Sequence, residues 1–185
     1  HHRRAGEADY VFAINDRREF GTYVGQHGLV MENGLPTSGH IRLAGGAGRH
    51  AYDLVAGIAT AIDEQGRLPV ALGPCDGRLF LILPRPVGGL SIAAPETAKA
   101  GTSVSLTVTV SDPGGRPLPA VIPMRLDIRD ANGRLAEGSG HRAAVDGRMT
   151  VTLDLAPNED PGAWEVTAQE LASRRSAQAS LRVEK

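Results

Sequence analysis

Features that would identify a chemistry are scarce in this sequence of 185 residues. One cysteine, Cys75, excludes an internal disulfide, and no Cys-x-x-Cys motif or Cys/His cluster suggests zinc. The aromatic residues are one Trp, three Tyr and three Phe. No run of about 18 apolar residues could cross a bilayer, so no membrane insertion is expected.

Charge is equally uninformative about partners. Twenty basic residues oppose 21 acidic ones, which leaves a formal net charge of −1. The arginines are scattered, so neither nucleic acid nor an anionic membrane is an expected partner. Residues 1–4 lack the apolar stretch of a signal peptide. We expect an excised piece of a longer chain, in which His1 and His2 are either tag or native residues.

The sequence does contain many residues that favour turns and strands. The 23 Gly and 12 Pro, with 41% hydrophobic residues, indicate a folded, turn-rich chain. Tyr10–Ile14 is predicted to be a strand buried on both faces, and Leu79–Leu83 a central strand. The glycines and charges of Arg17–Pro36 predict a long structured loop. A hairpin is predicted over residues 41–55, with Gly45–Gly48 as its turn.

The pattern changes after Pro84–Gly89, the predicted linker. Beyond it, apolar and polar residues alternate with period two, and turns separate the runs at intervals typical of sandwiches. The sequence therefore predicts an all-β fold of two consecutive β-sandwich domains, over residues 7–86 and 87–185, the second immunoglobulin-like. The predicted inward positions of the second domain are Val104, Leu106, Val108, Val110, Met124, Leu126, Ile128, Met149, Val151, Leu153, Leu155, Trp164, Val166, Ala168, Ala179, Leu181 and Val183.

Two segments of the first half carry a family resemblance. Tyr52–Leu54, read as YDL, and Gly77–Pro84, read as GRLFLILP, resemble strands of the closing β-domain of many glycoside hydrolases. That domain is a small sandwich behind the catalytic barrel. Tyr10–Arg18, followed by Tyr23–Gln26 and Met31–Pro36, resembles the start of the same region in large bacterial glycosidase-like proteins.

The second half resembles bacterial immunoglobulin-like and macroglobulin-type sandwich domains. The segments that carry this resemblance are Gly101–Val104, Asp112–Pro117 and Gly162–Val166. The macroglobulin thioester motif is absent from the sequence, so that family's covalent chemistry is not expected. Because any sandwich needs alternating strands and Gly/Pro turns, the order of the segments supports the resemblance more than any one segment does.

The acidic residues do not suggest a catalytic pair. A glycosidase needs two carboxylates facing each other across a cleft. The aspartates at positions 16, 112, 130, 146 and 160 sit at predicted turns, where a carboxylate caps backbone donors. Those at 127 and 154, with the glutamates at 165 and 184, occupy outward strand positions. We therefore expect no enzyme activity.

Metal, cofactor and nucleophile sites are not expected either. The histidines at 27, 40, 50 and 141 are isolated along the chain, and Cys75 has no activating neighbour. Gly45–Gly48 lacks the Lys and Ser/Thr of a phosphate loop. Calcium remains an alternative at Asp130–Gly133 and Asn158–Asp160, although turn chemistry alone explains both loops.

A ligand site, if the chain has one, is predicted around Tyr23, with Gln26 and His27 beside it. The other first-domain aromatics lie mostly on strand patterns and are expected in the core, as is Trp164 in the second domain.

These observations favour a non-catalytic accessory module of a larger glycoside-hydrolase-like bacterial protein, acting as a spacer or stabilising domain. Its expected partner is the catalytic domain of the same parent, and its expected location is extracytoplasmic. The alternative is a carbohydrate-binding module that uses the loop around Tyr23, with a polysaccharide as partner. A self-contained enzyme would need a deep pocket with a perturbed acid or base.

Overall fold

The computed structural model describes the backbone of residues 1–25 and 28–185, with all of their side chains except those of residues 22–24 and 29–32. The described residues form an all-β protein that contains no helix. No helix long and apolar enough to cross a membrane was found among them. The chain divides into two compact units, one comprising His1–Arg4 and Asp9–Pro84, the other Ala5–Ala8 and Arg85–Lys185.

Nine strands are numbered up to the division after Pro84. They are β1 (His2–Ala5), β2 (Ala8–Ile14), β3 (Arg18–Gly25), β4 (Gly28–Gly34), β5 (Thr37–Arg42), β6 (His50–Asp53), β7 (Ile58–Thr60), β8 (Arg67–Leu72) and β9 (Gly77–Leu83). Five of them form one sheet in the order β1-β2-β9-β6-β7, while β5 pairs with β8 and β3 pairs with β4.

The first core lies between the five-stranded sheet and the two-stranded β5–β8 sheet. Val11, Phe80 and Ile82 on one face of the sheet pack with Leu68 of β8, and Ile41 of β5 is partly buried against this cluster. The predicted central position of Leu79–Leu83 is confirmed, because β9 is the middle strand of the sheet. Its consecutive apolar residues are needed because Leu81 and Leu83, on the opposite face, are buried as well.

Three predictions for the first half are wrong. Residues 41–55 do not form a hairpin, since β5 pairs with β8 and β6 pairs with β7 and β9. The described part of Arg17–Pro36 is not a loop, because Arg18–Gly25 and Gly28–Gly34 pair as the β3–β4 ribbon, with two shifts of register. Tyr10–Ile14 is not buried on both faces, because Phe12 is 38% and Ile14 77% exposed at the end of β2.

Eight strands form the second unit. They are β10 (Gly89–Ala93), β11 (Thr97–Lys99), β12 (Ser103–Ser111), β13 (Ile122–Arg129), β14 (Gly140–Ala144), β15 (Arg148–Asp154), β16 (Gly162–Glu170) and β17 (Ser176–Glu184). They make two sheets, β10-β12-β15 and β11-β17-β16-β13-β14. The edge strand changes sheets around Pro95, with β10 antiparallel to β12 and β11 parallel to β17. The result is an immunoglobulin-like sandwich.

The alternation predicted for the second domain is confirmed. Every predicted inward residue is buried except Ala179, which is half-buried. Trp164, with 3% of its surface exposed, lies in this core.

The predicted linker is docked on the second unit rather than extended. The Arg85 guanidinium binds the Asp112 carboxylate and donates to the Pro117 carbonyl at 3.2 Å. Val87 is buried, and the Gly88 amide donates to the Ser111 carbonyl at 2.8 Å. The first strand of the sandwich then begins at Gly89.

Candidate functional site

The residues predicted to bind a ligand belong to the β3–β4 ribbon. Tyr23 lies on β3, but its side chain is outside the described part of the structure. Gln26 and His27 lie outside the described residues altogether. The ligand site around Tyr23 therefore stays a prediction. Phe20, which is 66% exposed on β3, is the described aromatic side chain of this ribbon.

Asn15 holds the base of the ribbon. Its side chain is 4% exposed and uses both amide hydrogens, donating to the Leu35 and Gly73 carbonyls at 2.7 Å each. Its side-chain oxygen accepts from the Arg17 amide at 3.1 Å. The Leu35 amide in turn donates to the Arg17 carbonyl at 2.9 Å. One buried amide thus ties both ends of the ribbon to the turn that follows β8.

An open groove of about 560 Å³, which we call the ribbon-base groove, lies beside this clamp. Its polar lining includes Arg17, Thr37, Ser38, Asp76 and Arg78. The groove therefore offers guanidinium donors, a carboxylate acceptor and two hydroxyls on one surface.

One of the two guanidinium charges in the ribbon-base groove, that of Arg78, is paired with carboxylates. The Arg78 guanidinium lies 3.5 Å from the Asp76 carboxylate and 3.8 Å from that of Asp53. The backbone amides of Gly73 and Gly77 hold the pKa of Asp76 below its ordinary value, and the nearby Arg78 acts in the same direction. Asp76 is therefore an ionised acceptor at neutral pH. Such fixed donor and acceptor pairs suit a hydroxyl-rich ligand better than a strongly charged one.

A second cavity, of about 240 Å³, lies elsewhere in the first unit. At one end Asp9, 8% exposed, binds the Arg49 guanidinium and lies 2.7 Å from the His2 ring nitrogen Nε2. Burial raises the pKa of Asp9, but hydrogen bonds from His2 and Arg49 outweigh it and hold the pKa below its ordinary value. The ion pair between Asp9 and Arg49 was not predicted from the sequence. The available signal was that Asp9 lies two residues before Val11 on β2 and so faces the same side of the strand.

The other buried carboxylates organise turns. Asp53 accepts from the Val55 and Ala56 amides at 2.9 Å each. Glu170, fully buried, accepts from the Ala172, Ser173 and Arg175 amides in the β16–β17 turn. Asp112 accepts from the Arg116 amide at 2.9 Å. The predicted capping role is confirmed for Asp112, while Asp53 and Glu170 were not singled out by the sequence.

The described histidine and cysteine side chains are exposed. His40, His50 and His141 are exposed, and in the described residues no group of three or more His, Cys, Asp or Glu could hold a metal ion. Cys75 is an exposed thiol in a turn with φ of 53°.

In the two loops considered for calcium, Asp130 and Asp160 accept internal hydrogen bonds. Asp130 accepts from the Asn132 and Arg134 amides at 2.9 Å each and pairs with the Arg134 guanidinium. The Asn132 side chain donates to the Asp160 carboxylate at 2.9 Å. Turn chemistry accounts for the Asp130 oxygens, and calcium at these loops stays an untested alternative.

Comparison with known proteins assigns no family. No protein-family model and no curated protein matches the chain. Among solved structures, a CARDB domain from Pyrococcus furiosus shares 17% identity over 54% of this chain and 91% of that one, with a TM-score of 0.36. The PKD domain of an M14-like peptidase from a Thermoplasmatales archaeon shares 13% over 52% and 93%, with a TM-score of 0.33.

A larger structure is similar over more of the chain. Escherichia coli alpha-2-macroglobulin shares 17% identity over 85% of this chain and 12% of that one, with a TM-score of 0.44. All three similarities are loose and carry no functional argument.

Proposed function

We propose that this chain is a non-catalytic accessory module of a larger, glycoside-hydrolase-like bacterial protein, where it acts as a spacer or stabilising domain. In this proposal its partner is the catalytic domain of the same parent, and the parent works outside the cytoplasm. The resemblance of the first half to a glycosidase closing domain supports the parent assignment.

The observation that carries the accessory role is the use of buried carboxylates. Asp53, Asp112 and Glu170 accept hydrogen bonds from backbone amides of their own turns, and Asp9 is committed to Arg49. General acid and base catalysis requires a carboxylate that can reach a substrate proton. Carboxylates used in this way stabilise a fold instead.

The first test is activity. The purified chain is incubated at high concentration with aryl glycosides and polysaccharides, beside a mock purification that reports contaminating host glycosidase. We expect no turnover above the mock sample. Turnover that co-purifies with the chain through several columns would overturn the proposal.

The second test concerns the stabilising role. In the parent protein, deletion of residues 1–185 should lower the Tm of the catalytic domain while its kcat/KM at low temperature is retained. An unchanged Tm combined with lost turnover would contradict the proposal, because the segment would then contribute to the chemistry.

The ribbon-base groove favours one second candidate function, which is binding of a neutral saccharide. Its hydroxyls and fixed Arg78–Asp76 pair provide the donors and acceptors that sugar hydroxyls use, and Tyr23 on the adjoining ribbon is the candidate stacking residue. In affinity gels containing polysaccharide, Tyr23→Ala should abolish retardation and Arg17→Ala should weaken it. Arg18→Ala is the matched control, since Arg18 pairs with Asp16. Retention in Tyr23→Ala would place a sugar site elsewhere.

A further inference from the structure

The 240 Å³ cavity of the first unit, which we call the apolar cavity, has the walls of a small-molecule site. Val11 and Ile82 are buried core residues of the five-stranded sheet, and the half-buried Ile41 and Leu43 pack against the same core. A cavity of about 150 Å³ with apolar walls accommodates benzene. The apolar cavity therefore has room for one ring with a small substituent.

A single buried carboxylate, that of Asp9, lines the apolar cavity beside these walls. Asp9 lies two residues before Val11 on β2 and is paired with Ile82 of β9, so its side chain is on the same face of the sheet as theirs. It is 8% exposed. The cavity therefore combines apolar walls with one hydrogen-bond acceptor.

The Asp9 carboxylate can accept more hydrogen bonds than the described residues give it. An ionised carboxylate has about four acceptor positions. One Asp9 oxygen binds the Arg49 guanidinium, and the other lies 2.7 Å from the His2 ring nitrogen Nε2 and 4.0 Å from the Arg4 Nε. A hydroxyl group can therefore donate to Asp9 without displacing His2 or Arg49.

The charges around Asp9 disfavour an ionised ligand. A cation at the carboxylate would have to displace Arg49 and leave a largely buried guanidinium uncompensated. An anion would meet the charge of Asp9 at short range, while the Arg49 guanidinium is already committed to Asp9 and to the Ile82 carbonyl, 3.2 Å away. The ligand that fits is uncharged.

We propose that the apolar cavity binds a small uncharged alcohol that carries one apolar ring or a short branched alkyl group. The hydrocarbon part lies against Val11, Ile41, Leu43 and Ile82, and the hydroxyl group donates to Asp9. This site is distinct from the ribbon-base groove, and it does not depend on the accessory role proposed above.

Benzyl alcohol is the test probe, and its binding to the whole chain is followed by NMR of backbone amides. Saturable shifts are expected at Val11, Ile41, Leu43 and Ile82, with a Kd on the order of 1 mM for so small a ligand. Nuclear Overhauser effects from the ring protons to the Val11 and Ile82 methyl groups should place the ring against these walls. Absence of saturable shifts up to the solubility limit, or saturable shifts confined to other residues, would overturn the proposal.

Three matched compounds test the assigned chemistry. Benzyl methyl ether keeps the ring but has no donor, so it should bind about three- to tenfold more weakly than benzyl alcohol, the effect of one hydrogen bond. Benzylammonium and benzoate keep the ring but carry a charge, and both should bind more weakly than the alcohol. Equal affinity of the ether would refute donation to Asp9, and tighter binding of either ion would refute an uncharged ligand.

A pair of variants tests the position of the ligand. Leu43→Trp places a larger side chain at a half-buried wall position and should abolish the saturable shifts at Val11 and Ile82. Leu54→Trp is the matched control, because Leu54 is also half-buried in the first unit but does not line the described cavity. Wild-type affinity in a folded Leu43→Trp chain would overturn the proposal. The Overhauser effects in the wild-type chain decide the same point without any variant.

Discussion

The two units bury their cores by different sequence rules. In the second unit the long strands β12, β13, β15 and β16 each have one buried and one more exposed face, so their sequences alternate cleanly. In the first unit β9 is buried on both faces over Phe80–Leu83, and its neighbour β2 is buried at one end and exposed at the other. Apolar and polar residues alternate along a strand when one face of its sheet is exposed to solvent. The alternation disappears when both faces of the sheet are buried.

The units also differ in how local their strand pairs are. In the second unit β16 and β17 pair across a short turn held by Glu170. In the first unit β5 pairs with β8 across the whole of β6 and β7. The sequence can predict a pair of strands joined by a short turn, because the turn residues mark it. It cannot predict the β5–β8 pair in this way, because the residues between these strands do not specify that the two strands pair.

The largest effect is expected in the core of the second unit. Trp164→Ala removes a buried indole and should lower the free energy of unfolding by about 3–5 kcal/mol. Urea unfolding followed by far-UV circular dichroism measures the change, since Trp164 is the sole tryptophan and its fluorescence is lost in the variant. A change below about 1 kcal/mol would mean that the indole is exposed in solution.

A smaller effect is expected where the linker docks on the second unit. A Cβ on Gly88 would lie 2.2 Å from the Pro113 nitrogen and 2.4 Å from the Asp112 carbonyl carbon. Gly88→Ala should therefore cost about 1–3 kcal/mol, measured by urea unfolding followed by far-UV circular dichroism, which reports on both units. Gly39→Ala in the first unit is the control, because nothing lies within 4 Å of its Cβ position. Equal stability of the two variants would show that the linker is not docked.

The ribbon of the first unit provides a local test. Asn15→Ala leaves the Leu35 and Gly73 carbonyls without their donor, at a cost of about 1–3 kcal/mol. Hydrogen exchange at the Leu35 amide, which donates to the Arg17 carbonyl, should become faster. Asn33→Ala, an exposed change on the ribbon itself, is the control. Unchanged exchange in Asn15→Ala would mean that the ribbon is held by other contacts.

The smallest effect is a dependence of stability on pH. The Arg116 amide, together with the Arg85 and Arg116 guanidinium groups, holds the pKa of Asp112 below its ordinary value of 3.8. A carboxylate with a lowered folded pKa stabilises the fold above its unfolded pKa, about 3.9, and loses that contribution as the pH falls through the folded pKa.

The Asp112 effect is measured as a difference between two proteins. The urea midpoint of wild type should exceed that of Asp112→Asn at pH 7, and the gap should narrow as the pH falls below about 4. A gap that stays constant from pH 7 to pH 2 would contradict the assigned cause. In that case the loss in Asp112→Asn would come from packing alone.

Much of the second unit could be predicted, and less of the first. Val104 to Val110 and Met149 to Leu155 were assigned to the core by period two alone, and the structure confirms them. The β3–β4 ribbon was predicted as a loop because of its glycines and charges, but the structure pairs it as two strands with shifted register. The ion pair between Asp9 and Arg49 could not be predicted either, because the two residues are 40 positions apart and no local sequence signal joins them.

The sequence by itself determined the all-β class, many of the turns and the inward face of five strands in the second unit, which are β12, β13, β15, β16 and β17. These follow from residue-by-residue preferences, since Gly, Asn and Asp favour turns and alternation marks a strand with one buried face. Tertiary structure alone decided that β5 pairs with β8, that Asn15 holds the ribbon, and that Asp9 meets Arg49 beside an apolar cavity. Each of these contacts joins distant segments, and burial and hydrogen bonding select them only when the whole fold has formed.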